Sequence, residues 1–162
     1  MSRLSKLQDL LLKYIREKTS SGEQRAYPLS WEIVHIASAP QFAMLLAEKR
    51  GVDPELAAVA TAVHDFGRIV TGIQEGHAEA GYEQLKIWLK ETELFSQEEI
   101  EVVALASKYH SNKEQVGSPL EEIVKDSDIV DCYLHGHPIT KESHRGRLAA
   151  VKKELHLPEE QA

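Results

Sequence analysis

Ala60-Thr61-Ala62-Val63-His64-Asp65-Phe66-Gly67-Arg68 is an apolar helical run that closes on an imidazole and a carboxylate side by side. Successive helical residues point about 100° apart, because a helix turns once in about 3.6 residues. At a helix end a long imidazole and a short carboxylate can still converge on one cation. The pair alone is weak. It gains weight from further residues of ligand type: His35 upstream, then His77, His110 and Asp128 downstream.

Outward from this stretch the pattern stays helical, with no strand alternation. A first helix is expected over 2–18, with Leu4, Leu7, Leu11, Tyr14 and Ile15 on one face. A polar loop, 19–28, follows. The second helix carries Trp31, Val34, His35, Ser38, Phe42 and Leu45 as a stripe, with Pro40 expected to bend or split it. Gly51 stops it, and Asp53-Pro54 supplies the cap and first-turn proline of the third. That helix carries Leu56, Val59, Ala60, Val63 and His64 and ends at Gly67. Residues 69–76, with Gly72 and Gly76, read as a loop. A helix over 77–92 aligns His77, Ala80, Gly81, Gln84 and Trp88. Ser96-Gln97-Glu98-Glu99 is a capping box for a helix ending near His110. Pro119 opens the next, which ends near Leu134, and Thr140 is expected to cap the last.

The expectation is an all-α, single-domain bundle of about six to seven helices over 1–162. Its core spans about 30–135, with the N- and C-terminal helices packed on it. The net charge of −7 speaks against nucleic-acid binding. The one cysteine, Cys132, excludes an internal disulfide and fits a reducing compartment. The first residues alternate charge with leucine, unlike a signal peptide, and no stretch is long enough to span a membrane. A cytoplasmic location with no membrane partner is expected. The sequence leaves the oligomeric state open.

Each histidine taken alone is more simply a satisfied core residue. His35 nevertheless lies inside an apolar stripe, His64 flanks one, and His77 opens a helix beside Ala80 and Gly81. His110 lies seven residues after Val103, on the inward face. On the helix after Pro119, Leu120, Ile123, Val124, Ser127 and Leu134 define the inward side. Asp126 points away, toward solvent, whereas Asp128 borders that face and Asp131 lies within it. A buried carboxylate needs a cation or hydrogen-bonding partners. Four helices thus aim a histidine inward and a fifth an aspartate. Such a set suits manganese, iron, cobalt, nickel, zinc or magnesium, as one or two ions.

In this order, His35, His64-Asp65 and Asp128, the sequence resembles the HD-domain superfamily of metal-dependent phosphohydrolases. The phrases that carry the likeness are Trp31-Glu32-Ile33-Val34-His35, Ala62-Val63-His64-Asp65-Phe66-Gly67-Arg68 and Val124-Lys125-Asp126-Ser127-Asp128-Ile129-Val130. The resemblance implies Asp128 as the distal carboxylate ligand. His77 and His110 resemble the extra histidines of two-metal members. By that likeness Asp65 bridges, with His35, His64 and Asp128 on one ion and His77 and His110 on the other. The six-ligand pattern is most similar to bacterial members that cleave dinucleoside polyphosphates.

The implied activity is hydrolysis of a phosphoester or phosphoanhydride of a nucleotide-like small molecule, by metal-activated water. Asp65 and Arg68 are the expected catalytic residues. Arg68, Lys108, His144 and Arg145 are the expected substrate contacts. Lys113 and Arg147 read as solvated charges, and His135, His137 and His156 as exposed. The same ligands also resemble the di-iron oxygenases built on this scaffold, and a non-catalytic metal-binding module is a third reading.

Overall fold

A computed structural model describes residues 1–18 and 24–158. The loop expected over 19–28 therefore lies partly outside the described residues. Eight helices are present among them, in the order α1 (Arg3–Lys18), α2 (Leu29–Arg50), α3 (Pro54–Val63), α4 (Phe66–Thr71), α5 (His77–Glu91), α6 (Gln97–Tyr109), α7 (Pro119–Leu134) and α8 (Glu142–Glu154). No strand occurs among the described residues. Seven helices match the expected ones. The eighth, α4, occupies part of the stretch read as a loop over 69–76.

The centre of the bundle is α3. Its residues Ala57 to Val63 are all buried, so over that span it has no solvent face, only neighbours: α1, α2, α6 and α7 all pack on the helix. The alanines make this possible, because short side chains let surrounding helices approach from every side. Asp53 accepts from the Leu56 amide and Pro54 fills the first turn, as the sequence requires. The long α2 runs through Pro40 without being split, and Gly51 closes it in the left-handed region.

Leu4, Leu7, Leu11 and Ile15 bury the inner face of α1. Arg3 ties that helix to Glu55 at 2.7 Å and to Glu99 at 2.6 Å. At the other end of the chain, α8 packs on α7. The residue that caps α8 is Lys141, without a side-chain hydrogen bond. The expected Thr140 cap is therefore not formed.

Two glycines decide how α4 and α5 meet. A Cβ on Gly67 would lie 2.0 Å from the His77 carbonyl oxygen, and one on Gly81 would lie 2.5 Å from the Gly67 Cα. Main chain touches main chain here, and the contact sets His77 beside the end of α3.

Candidate metal centre

At Val63 the central helix stops. His64 caps it, Asp65 turns the chain (φ −95°, ψ 14°), and α4 begins at Phe66. A helix C-terminus leaves carbonyls without intrahelical partners. His64 Nδ1 donates to one of them, Thr61 O, at 2.6 Å. At the end of α6, His110 Nδ1 donates to Ser107 O at 2.6 Å. In the turn before α5, His77 Nδ1 donates to Gln74 O at 2.6 Å. His35, in the middle of α2, has no such carbonyl, and its Nδ1 donates instead to Asp131 Oδ2 at 2.6 Å. A carbonyl or carboxylate only accepts. Each Nδ1 therefore carries a proton, and in the neutral ring each Nε2 turns a lone pair inward.

The four Nε2 atoms meet two carboxylates. His35 Nε2 lies 3.2 Å from His64 Nε2, 3.3 Å from Asp128 Oδ1 and 3.7 Å from Asp65 Oδ2. His64 Nε2 lies 3.2 Å from Asp65 Oδ2 and 3.7 Å from Asp128 Oδ1. On the other side, Asp65 Oδ1 lies 2.9 Å from His77 Nε2 and 3.4 Å from His110 Nε2, which are 3.3 Å apart. The donors divide into two sets that share Asp65, one oxygen to each.

This constellation fits divalent ions. Four donors arranged tetrahedrally at ~2.1 Å from an ion would stand about 3.4 Å apart, and the spacings of the first set bracket that value. Asp65 Oδ1 is buried and accepts no hydrogen bond, although orphaned buried acceptors are rare. Converging lone pairs repel unless a cation lies between them. The electrostatics agree. Burial opposes charge on His64, yet Asp65 and Asp128 outweigh it and lift its pKa to about 10. Burial prevails at His110 and lowers its pKa to about 4. Asp65 resists burial through His64 and Arg68 and stays well below the usual carboxylate range. Lys113, His35 and His64 hold Asp128 down in the same way. Positive charge is drawn to the first set most strongly.

All six residues expected to ligate metal are thus brought together: His35, His64, Asp65, His77, His110 and Asp128. The neighbouring aspartates are placed otherwise. Asp131 is fully buried behind His35. Asp126 is not solvated. It is buried between Arg50 at 2.7 Å and Arg147 at 2.9 Å, because α2 and α8 both pack on α7. Arg147 is correspondingly no free surface charge and also reaches Glu122 at 2.8 Å.

Arg68 is buried too. Its Nε and Nη2 donate to the two Glu32 oxygens at 2.8 and 3.0 Å, and Nη1 donates to Gln74 at 3.0 Å. Nη2 also donates to Asp65 Oδ2, and the guanidinium lies 4.7 Å from the Tyr27 ring centroid. Four of its five N–H groups are engaged, so it first of all holds Asp65. Glu32 went unnoticed in the sequence. A signal existed: it lies three residues before His35, on the same side of α2, where a carboxylate needs a cation. Lys113, read as solvated, is buried against Asp128 at 2.5 Å.

The centre opens on a cavity of about 260 Å³ lined by Asp65, Arg68, His110, Asp128, Lys113, Lys141 and His144, with Tyr27, Trp31 and His137 as a flat wall. His137 is half-buried rather than exposed, its ring 4.2 Å from Trp31. Of the expected substrate contacts, Arg68 and His144 reach this cavity. Lys108 does not: it pairs with Glu79 at 3.0 Å and lies over the Tyr82 ring. Arg145 does not either. It holds the Ile139 and Thr140 carbonyls and borders a second hollow, of about 700 Å³, beyond His137, Pro138 and Ile139.

Among the described residues no helix is long and apolar enough to cross a membrane. A sequence model of the HD domain matches residues 33–133. A solved structure described as a predicted HD superfamily hydrolase, from an uncultured Thermotogales bacterium, is similar in fold. Its TM-score is 0.62 and its identity 20%, over 96% of this chain and 88% of that one. A search of the curated proteins finds no match.

Proposed function

Because the chain belongs to the HD-domain family, we propose that it is a metal-dependent phosphohydrolase acting on a phosphoester or phosphoanhydride of a nucleotide-like small molecule. The observation that carries this reading is the division of five ligand residues into two sets by the two oxygens of Asp65, beside a cation-lined cavity. His35, His64 and Asp128 would hold one ion and His77 and His110 the other, with Asp65 between them. Bound there, divalent ions would acidify water and polarise a phosphoryl oxygen.

The protein's own residues do the rest. Asp131, Thr61, Gln74 and Ser107 fix the four imidazoles. Arg68, clamped on Glu32, keeps Asp65 ionised and aimed, and one remaining N–H is left for substrate. Lys141 adds positive charge to the cavity lining, and His144, which burial and then Lys113 and Lys141 hold toward its neutral form, adds a polar ring. Tyr27, Trp31 and His137 offer flat surfaces suited to a planar base. A cavity of 260 Å³ is small beside ligand sites of roughly 300–1,000 Å³. It takes one phosphorylated end of a substrate rather than a whole dinucleotide.

The test is elemental analysis of the purified protein, followed by a screen of phosphorylated compounds with the metal restored. Phosphate release that disappears in Asp65→Ala supports the reading. A di-iron centre that consumes oxygen and releases no phosphate would replace it with an oxygenase. Bound metal with neither activity would leave a metal-binding module.

A further inference from the structure

We infer that Lys113 is the cation that grips the substrate's phosphoryl oxygen, an inference that rests on the phosphohydrolase reading. Lys113 follows α6 in the turn Ser111-Asn112-Lys113, where the Lys113 amide donates to Ser111 O at 3.0 Å and the Asn112 amide to Tyr109 O at 3.0 Å. The turn folds the side chain back over the end of its own helix. Its side chain is only 7% exposed. Nζ donates to the His110 carbonyl at 3.1 Å and to Asp128 Oδ2 at 2.5 Å.

Three features follow from that position. An ammonium has three N–H donors, and two are committed. The third has no hydrogen-bond partner among the described residues, and Lys113 lines the metal cavity. Second, Lys113 joins the two donor sets: its carbonyl partner belongs to His110 of one set, and its carboxylate partner is Asp128 of the other. Third, it occupies Oδ2 of Asp128 and leaves Oδ1 facing His35 and His64.

Of the other cations near the centre, Lys141 lines the cavity but is exposed. Arg68 keeps a single N–H, Arg50 and Arg147 are held by Asp126, Glu122 and Glu154, and Lys108 lies outside the cavity. An anion drawn to the metal centre therefore meets in Lys113 a buried ammonium, bound directly to Asp128, with a donor to offer. A charge-assisted hydrogen bond in so enclosed a place is strong and directional. Negative charge that builds on a non-bridging phosphoryl oxygen would be met by the same ammonium.

The experiment uses the full chain loaded with metal, inorganic phosphate as the probe, and titration calorimetry as the readout. Metal content per chain and the melting temperature are measured on each sample. Lys113→Met should bind phosphate about tenfold more weakly or worse at unchanged metal content. Lys113→Arg should recover most of the loss, and Lys86→Met, at a lysine paired with Glu101 outside the cavity, should behave as the unmodified protein. Unchanged phosphate affinity in a metal-replete Lys113→Met protein overturns the inference. So does a loss of phosphate binding that only tracks a loss of metal, which would make Lys113 a positioning residue for Asp128. Failure of the phosphohydrolase reading itself looks different. It shows in the unmodified protein, which would then bind no phosphate and hydrolyse no phosphorylated compound, and the inference would fall with it.

Discussion

The two donor sets around Asp65 are built from different materials. The first takes His35 from the middle of α2 and Asp128 from the middle of α7, both long helices, and joins them to His64. It has two carboxylates, and a third, Asp131, stands behind His35. The second set has His77 and His110 from helix termini, backbone carbonyls behind both rings, and only the shared carboxylate. It depends on α4 and α5 touching at two glycines. The first set is richer in charge and has four donor atoms; the second has three. An ion should therefore fill the first set before the second, and an ion in the second would keep more coordination positions for substrate.

The largest effect should come from removing what the sets share. Asp65→Ala should lose both ions while most helical content remains, as read by elemental analysis and far-ultraviolet circular dichroism. Full occupancy in that variant would break the two-set picture. Asp128→Asn should lose the tighter ion and retain the weaker one. If Asp131→Asn lost that ion and Asp128→Asn kept it, the distal ligand would be Asp131.

Replacing His77 and His110 together by alanine should reduce a manganese titration from two equivalents to one. A single equivalent in the unmodified protein would mean a mononuclear site. Gly81→Ala should weaken the second equivalent as well. It forces a Cβ to within 2.5 Å of the Gly67 Cα, and overpacking of this kind destabilises by about 1–3 kcal/mol or more. A lower melting temperature with the first equivalent intact is the expected signature. The mildest change is Asp131→Asn. It retains an acceptor for His35 Nδ1 but removes the charge, and orienting partners of this kind are worth roughly 10–100-fold in metal affinity. Calorimetry should show that loss in the first equivalent alone.

The ligand types and most of the helices were legible in the sequence because periodicity and residue chemistry are local. His35, His64, His77 and His110 sit at helix faces or ends that the apolar spacing marks, and the capping box at Ser96 formed as read. What escaped depended on partners from other helices. Asp126 and Arg147 look like surface charges until α2 supplies Arg50 and α7 supplies Glu122. Lys113 looks free until its turn places it on Asp128. The six residues of α4 are too few for a period to show, and Gly67, which meets Gly81 of α5, reads as the end of the preceding helix. Angle alone could not choose between Asp128 and Asp131, since both lie near the inward side of α7. Their side chains reach different places: Asp128 Oδ1 reaches His64 at 3.7 Å, and Asp131 stops at His35.

His64 and His110 each join a last-turn carbonyl on one side of the ring to the metal centre on the other. Fraying of those helix ends and release of an ion are then a single event, in which neither can proceed far without the other. Thermodynamic linkage gives this a size. An ion at a hundred times its dissociation constant adds about 2.7 kcal/mol to the folded state. Amide hydrogen exchange at the ends of α3 and α6 should slow as metal is added, while exchange in the middle of α1 follows only the global stability.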